Sequence, residues 1–435
     1  MKKGLVLGAI APFCDLVKDM EKLNITPIVC DYYVDAPAKK MGYPSYDIST
    51  TSFDEVLKLA KEYNVDGIVS AFSDRNLEIT YRVAKELDLP QLYNMEIINL
   101  VTDKLTMKDF FEKIGLPVIK YRILDRDFGD SLLDGMDFPV VTKPIDAYGS
   151  KGIFVCNTAD EIRAMFDKTT AEAEKYKDKI IVEEFYPVDE ISVTGWVKDG
   201  EVYVTCIYDV IKNYEPNIEL ATVAFPSKYT NANLEQITEV YNKIVKACGI
   251  QEGPVTLQCF IGDKGIKVSE LLFRLAGNSP YLYGTYIGGP NIAQMLLQYY
   301  VGEEIDYQNL ESFKPLETGE MYYDIQVFAM DKGRITYEFD ELSIKGLIPE
   351  CIDARLYHVS GDELINVPST GKLYARLICK TPSYSKEDYY SLLDKIREYV
   401  QLFNENGKNV CGVRSANKIN QMVAMKINWD FLNKK

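Results

Sequence analysis

Phe138-Pro-Val-Val-Thr-Lys-Pro-Ile-Asp-Ala-Tyr-Gly-Ser-Lys-Gly-Ile-Phe154 is two apolar runs joined by a short basic loop. The first run is β-branched and ends at Lys143-Pro144; the second begins at Ile153. Between them, Gly149-Ser150-Lys151-Gly152 supplies glycines that let backbone N–H groups approach a ligand closely, and Lys143 and Lys151 offset negative charge. Two strands joined in this way can fold over a polyphosphate. A plain hairpin turn has a similar look, so the loop is weighed together with its neighbours. Asp103-Lys104 lies upstream, Val182-Glu183-Glu184-Phe185-Tyr186 downstream, and Glu270 and Arg274 further on.

Composition narrows the setting. A chain of 435 residues, 47% apolar and 26% charged, is long enough for about two to four domains with substantial cores. A net charge of −16 without a local basic patch argues against a nucleic-acid partner. The N-terminus, Met1-Lys-Lys-Gly-Leu-Val-Leu-Gly, enters a strand directly and lacks the core of a secretory signal. No apolar run approaches the roughly 18–20 residues needed to span a bilayer. The expectation is a soluble, cytoplasmic protein with no membrane partner. Nine cysteines are scattered singly, which suits small buried hydrophobes in a reducing compartment better than a disulfide framework or a zinc site. The single histidine, His358, rules out multi-histidine metal sites. Its surroundings, Ala354–Ser360, alternate like a strand and predict a surface or half-buried position. Chemistry is left to Lys, Arg, Glu, Gln and a metal held by oxygen ligands.

The first hundred residues alternate strands with amphipathic helices. Leu5–Ile10, Pro27–Asp31 and Gly67–Phe72 read as strands; Asp15–Leu23, Phe53–Tyr63 and Leu77–Leu87 carry helical spacing. That alternation predicts a parallel sheet with crossover helices. Gly4 and Gly8 do not form a dinucleotide fingerprint. Ser70–Asp74 follows a strand, where open α/β sheets bind ligands, so Ser73 and Asp74 are candidates for an acceptor pocket; Asp74 as a simple helix cap is the alternative. A second unit holds a helix over Asp103–Ile114, strands at Val118–Leu124 and Val140–Lys143, a helix from Thr158, and a strand at Ile180–Glu184. In a β-rich third unit, Gly262-Asp-Lys-Gly265 predicts a hairpin of Thr256–Ile261 with Ile266–Leu272, which would set Gln258 and Glu270 on one face. From Gly319 the pattern predicts further strands, at Tyr322–Ala329, Arg334–Phe339, Asp353–Val359 and Leu373–Cys379. The amphipathic helix Lys386–Gln401 follows.

In order and spacing, these motifs resemble the ATP-grasp superfamily of ATP-dependent ligases, in the branch of carbamoyl-phosphate synthetase, biotin carboxylase, purine-pathway and amino-acid ligases. The resemblance implies a multidomain α/β and α+β fold. Residues 1–101 would form a parallel α/β domain that precedes the ATP-grasp domain, and 102–318 the ATP-grasp domain itself. The latter has two α+β halves, 102–190 with the glycine-rich loop and 191–318 with the catalytic strands. Residues 319–435 would add a small α+β domain. It further implies an ADP-forming ligase that joins a small carboxylate, such as an amino acid, to an amine through an acylphosphate, with ATP and one or two Mg2+ ions. Mn2+ is an expected substitute, and homodimers are common among similar proteins.

On this resemblance Lys104 and Lys143 contact phosphates, and Gly149, Ser150, Lys151 and Gly152 close over them. A cation in a helix's first turn opposes the macrodipole, and an unpartnered ammonium at the end of an apolar strand is costly; a phosphate would explain both lysines. Glu183, Glu184, Phe185 and Tyr186 resemble the adenine-binding hinge, with a solvated strand end as the alternative, and Glu190 would accept the ribose hydroxyls. Gln258 and Glu270 would hold the metal. Leu272 stands where relatives carry an asparagine ligand, and Phe273 where proline is usual. Asn278 is a candidate substitute ligand, and with Ser279 a candidate for the acceptor pocket. Arg274 keeps the family's arginine, whose five fixed donors suit a transferring phosphoryl group. Two other readings stay open: a purine-pathway or carbamoyl-phosphate-type enzyme, and an ATP-binding protein whose catalysis has decayed.

Overall fold

A computed structural model describes the chain except for residues 147–151, 174, 187–188, 213–220, 263–264, 278–279, 317–318, 365–372, 383–384 and 414–435. The N-terminal unit is β1 (Lys3–Leu7), α1 (Ala11–Lys22), β2 (Thr26–Cys30), β3 (Ser45–Tyr46), α2 (Phe53–Tyr63), β4 (Gly67–Val69), α3 (Asp74–Glu86) and α4 (Met95–Thr102). Its strands are parallel, in the order β3-β2-β1-β4, as the strand–helix alternation predicts. The sequence reading did not include α4. Asn94 caps it, its side chain accepting from Ile97 N at 3.0 Å. At its other end Asp103 begins the next helix, so no loop separates the two in sequence.

The second unit is α5 (Lys104–Lys113), β5 (Tyr121–Asp125), β6 (Val140–Lys143), β7 (Phe154–Cys156), α6 (Ala159–Thr170) and β8 (Lys179–Glu184), with its strands ordered β5-β8-β6-β7. β9 (Asp189–Lys198), β10 (Glu201–Lys212), β11 (Ala221–Phe225), α7 (Thr230–Cys248), β12 (Glu252–Gly262), β13 (Gly265–Leu272), α8 (Tyr283–Tyr286) and α9 (Ile292–Tyr300) follow. Ile237, Val240, Tyr241, Ile244 and Val245 repeat at three- and one-residue steps, so α7 buries one stripe. The helix stops at Gly249, whose φ of 66° is left-handed.

The last unit is β14 (Met321–Ala329), β15 (Gly333–Thr336), α10 (Glu341–Leu347), β16 (Cys351–Leu356), β17 (Glu363–Leu364), β18 (Leu373–Thr381), α11 (Lys386–Tyr399), β19 (Phe403–Asn404) and β20 (Cys411–Val413). Four of its strands join the sheet of the preceding unit. The order runs β13-β12-β9-β10-β11-β14-β18-β16, with β20 also on β14. The link is β11, absent from the sequence reading, which pairs β10 on one edge and β14 on the other. His358 corrects an expectation. β16 ends at Leu356, and the imidazole beyond it is buried, with Nδ1 3.3 Å from Asp362 Oδ2. Among the described residues the cysteines form no disulfide, and no helix is long and apolar enough to cross a membrane.

Candidate active site

The N-terminus of α5 is built around Asp103. Its Oδ1 accepts from Leu105 N and Thr106 N at 3.0 and 2.9 Å, and its Oδ2 accepts from Tyr176 Oη at 2.8 Å. This cap sets Lys104 at the first helical position. Burial lowers the lysine's pKa, the Glu270 carboxylate opposes that, and Lys143 reinforces it. One turn on, Lys108 is 5% exposed, on the buried side of α5 with Met107 and Phe111. Its ammonium lies over the Tyr121 ring, 4.5 Å from the centroid, and pairs with Glu183.

Glu183 also takes Lys143, Nζ to Oε2 at 2.6 Å. The ladder explains this: Val141 sits opposite Glu183, so Lys143 is the diagonal neighbour two residues along the same face. Two ammonium groups hold the Glu183 carboxyl down at about 2 against the desolvation that would raise it. Two expectations are corrected here. Lys143, half-buried, has a protein partner, and the Glu183 side chain is an internal counter-ion, which removes the solvated-strand-end alternative for it. Lys108 was missed in the sequence because one lysine on a helical face does not announce burial; its four-residue spacing from Lys104 was the available signal.

At the end of β8, Glu184 N donates to Lys120 O at 3.0 Å and, one residue on, Phe185 N to Pro139 O at 2.9 Å, while the Glu184 carboxylate accepts from Asp137 N at 3.0 Å. The Tyr186 hydroxyl is buried without a hydrogen bond. Glu190, on β9, faces Phe260 across the ladder. Gly149, Ser150 and Lys151 lie outside the described residues. Gly152 has a φ of 66°, and a Cβ there would meet Thr169 O at 2.9 Å, so glycine is required at the loop's exit.

The predicted hairpin is present. Gln258 and Glu270 are direct cross-strand partners on β12 and β13, next to a bulge. Burial raises the Glu270 pKa; Lys104, Arg274 and Lys143 oppose it and Asp74 adds to it. Asp74 opens α3, and its carboxylate grips Arg274 in a fork: Nε to Oδ1 at 2.7 Å and Nη2 to Oδ2 at 2.5 Å. Arg274 also donates from Nη1 to Leu275 O at 3.0 Å. Ser73 precedes α3 and makes no side-chain cap. Asn278 and Ser279 lie outside the described residues. The fold thus gathers Lys104 of α5, Lys143 of β6, Asp74 of α3, Glu270 of β13 and Arg274 just beyond it.

The donor set suits a particular kind of metal ion. Leu272 is 4% exposed and offers no oxygen, and among the described residues no group of three or more His, Cys, Asp or Glu side chains is placed to hold a metal. Gln258 and Glu270 supply an amide and a carboxylate. That fits a hard cation that draws most of its ligands from phosphates and water.

Residues 136–279 match the family model described as an ATP-grasp domain. The chain carries an ATP-grasp domain. Formate-dependent phosphoribosylglycinamide formyltransferase of Wolinella succinogenes is 23% identical over 271 residues, 62% of this chain and 69% of that protein. Other curated relatives are spanned over 40–48% of their length. The biotin carboxylase domain of Hydrogenobacter thermophilus 2-oxoglutarate carboxylase superposes with a TM-score of 0.75 at 18% identity, covering 100% of this chain and 95% of that one. L-amino acid ligase of Bacillus licheniformis superposes with a TM-score of 0.68 at 17% identity, covering 91% and 98%. The ATP-grasp match takes in β6 to β13 and so contains Lys143, Glu183, Gln258, Glu270 and Arg274, with Lys104 upstream.

Proposed function

We propose that this protein is an ATP-dependent carboxylate–amine ligase acting on an amino acid or related small carboxylate. The carrying observation is the convergence of three cations, Lys104, Lys143 and Arg274, around the Glu270–Gln258 pair. Phosphoryl transfer needs little from a protein beyond positioning and charge. Lys104 and Lys143 bind the nucleotide phosphates, Lys143 exchanging Glu183 for them. The loop 149–152 covers the phosphates, the backbone of 184–186 takes the adenine, and Glu190 takes the ribose. Glu270 and Gln258 would hold Mg2+, or Mn2+ in its place, which would supply positive charge to the nucleotide's polyphosphate.

A substrate carboxylate oxygen attacks the γ-phosphorus, the bond to the β-bridging oxygen breaks, and ADP leaves. Arg274, oriented by Asp74, stabilises the charge on the transferring group. The amine then attacks the acylphosphate carbon, expels phosphate and loses a proton to solvent, leaving an amide. Ser73, Asp74, Asn278 and Ser279 border the acceptor. The test is ADP release by purified protein with MgATP against amino acids, singly and in pairs. ADP formation that depends on a defined pair establishes the ligase. The buried Leu272 favours a second reading, nucleotide binding without turnover, for which MgATP binds and no pair releases ADP.

A further inference from the structure

Glu183 joins two lysines to one carboxylate. Its Oε1 pairs with Lys108 of α5, and its Oε2 lies 2.6 Å from Lys143 Nζ of β6. A buried pair kept for stability alone is neutral, because an uncompensated charge out of water is costly. Here one ammonium is surplus, and the neighbouring groups among the described residues do not remove it. Tyr121 of β5 is the direct cross-strand partner of Glu183. Burial, with help from Glu112 and Asp109, pushes that phenol up to about 12, so it carries no charge at neutral pH. Glu112 and Asp109 are themselves exposed residues of α5, where water and salt screen them. Lys104 acts on Lys143 as a further cation. Glu270 of β13 faces Lys104, Lys143 and Arg274 together, so its one charge is already shared.

The two lysines are not equivalent. The Lys143 side chain is 15% exposed and ends β6, the strand that leads in sequence to Gly149–Gly152. That of Lys108 is 6% exposed, on the buried side of α5, with its ammonium 4.5 Å from the centroid of the Tyr121 ring. Lys143 can turn to a bound phosphate, whereas Lys108 is fixed by the packing of α5 on β5 and β8. Once Lys143 has turned away, Lys108 is the cation left on Glu183. We infer that Lys108 is a positioning residue for the nucleotide: it keeps the Glu183 carboxylate ionised and in place while Lys143 transfers to the phosphates, and so controls how tightly the nucleotide binds. The inference rests on the assignment of Lys143 to the nucleotide phosphates. Without Lys108, Glu183 escapes isolation only by taking a proton. Its pKa is then low in the free protein, where Lys143 holds it, and raised in the complex, where burial acts alone. Between those two values binding takes up one proton, and affinity falls by about tenfold per pH unit as pH rises.

The test is calorimetric MgADP binding to the full-length protein from pH 5.5 to 8.5, in pairs of buffers with different ionisation enthalpies, which report protons taken up. Wild type, K108R, K108M, E183Q and K108M/E183Q are compared. K108M should bind MgADP about tenfold or more weakly than wild type at pH 8, regain affinity toward pH 5.5, and take up an added fraction of a proton on binding. K108R should follow wild type. K108M/E183Q should recover to within about threefold of E183Q, because no carboxylate remains to be isolated. A purely structural role for Lys108 would lower the melting temperature without the pH slope, the proton or the recovery. A folded K108M that binds MgADP like wild type at every pH overturns the inference and leaves the ligase reading standing. Absence of MgADP binding by the wild type sinks the nucleotide reading and this inference with it. Should K108M fail to fold, E183Q against K108M/E183Q decides: equal affinities support action through Glu183, and a further tenfold loss overturns it.

Discussion

Replacing Glu183 with glutamine removes the counter-ion of one buried lysine, Lys108, and one half-buried lysine, Lys143, with almost no change in side-chain volume. In the wild type the carboxyl is held at about 2 against an ordinary 4.5. At roughly 1.36 kcal/mol per pH unit, that gap corresponds to about 3 kcal/mol of stability. Because the folded pKa is the lower one, this contribution is present above pH 4.5 and is lost as pH falls toward 2. In E183Q the contribution vanishes at neutral pH and two ammonium groups remain with no carboxylate between them. The expected loss is about 3–5 kcal/mol, the range for breaking one partner of a buried pair. Lys108, already lowered by burial, loses its main support. The unfolded state then binds more protons, so the E183Q deficit shrinks as pH rises from 7 to 10. Urea denaturation at pH 4, 7 and 9.5 measures all three statements. MgATP should stabilise E183Q more than wild type, since phosphates take the place of the missing carboxylate at Lys143. A loss under 1 kcal/mol at pH 7, or a deficit that grows with pH, refutes the account of this triad.

Other expected outcomes are equally specific. Arg274→Ala should lower kcat by about 10²–10³, the cost of one preorganised donor at a charge-developing site, with MgADP affinity within threefold; equal losses in both would remove its transition-state role. Asp74→Asn should give a smaller fall in kcat in the same pattern, because it loosens the fork on Arg274 and leaves the nucleotide contacts alone. Glu270→Ala should raise the Mg2+ concentration for half-maximal activity at least tenfold; an unchanged Mg2+ dependence would show that the carboxylate holds no metal. Gly67→Ala should destabilise by about 2–3 kcal/mol, since a Cβ would drive into the Tyr300 carbonyl between β4 and α9; a melt within 2 °C of wild type contradicts that packing.

What the sequence disclosed followed periodicity and local turn chemistry. The β12–β13 hairpin was legible because two glycines flank an Asp-Lys turn, and its register then placed Gln258 opposite Glu270. The parallel N-terminal sheet was legible from alternation. Long-range pairing was not. Asp74 and Arg274 lie 200 positions apart, and nothing local to either says that they meet. The Lys108–Glu183–Lys143 triad likewise joins a helix to two strands. The continuous sheet across residue 319 was hidden because its link, β11, is a short run with no strong alternation. The arginines at 355 and 376 look alike in sequence and differ in what the fold brings to them: Asp15, Asp353 and Tyr286 to the first, the buried Asp324 carboxylate to the second.

The central claim is that ATP's γ-phosphoryl group passes to a substrate carboxylate. Isotope transfer tests it most directly. With the amino-acid pair selected by the ADP-release panel, the carboxylate of the activated substrate is labelled with 18O and the released phosphate is analysed by mass spectrometry. The account predicts one 18O atom per phosphate formed, because the bridging oxygen of the acylphosphate leaves with phosphorus. Release of unlabelled phosphate alongside the amide product would contradict it.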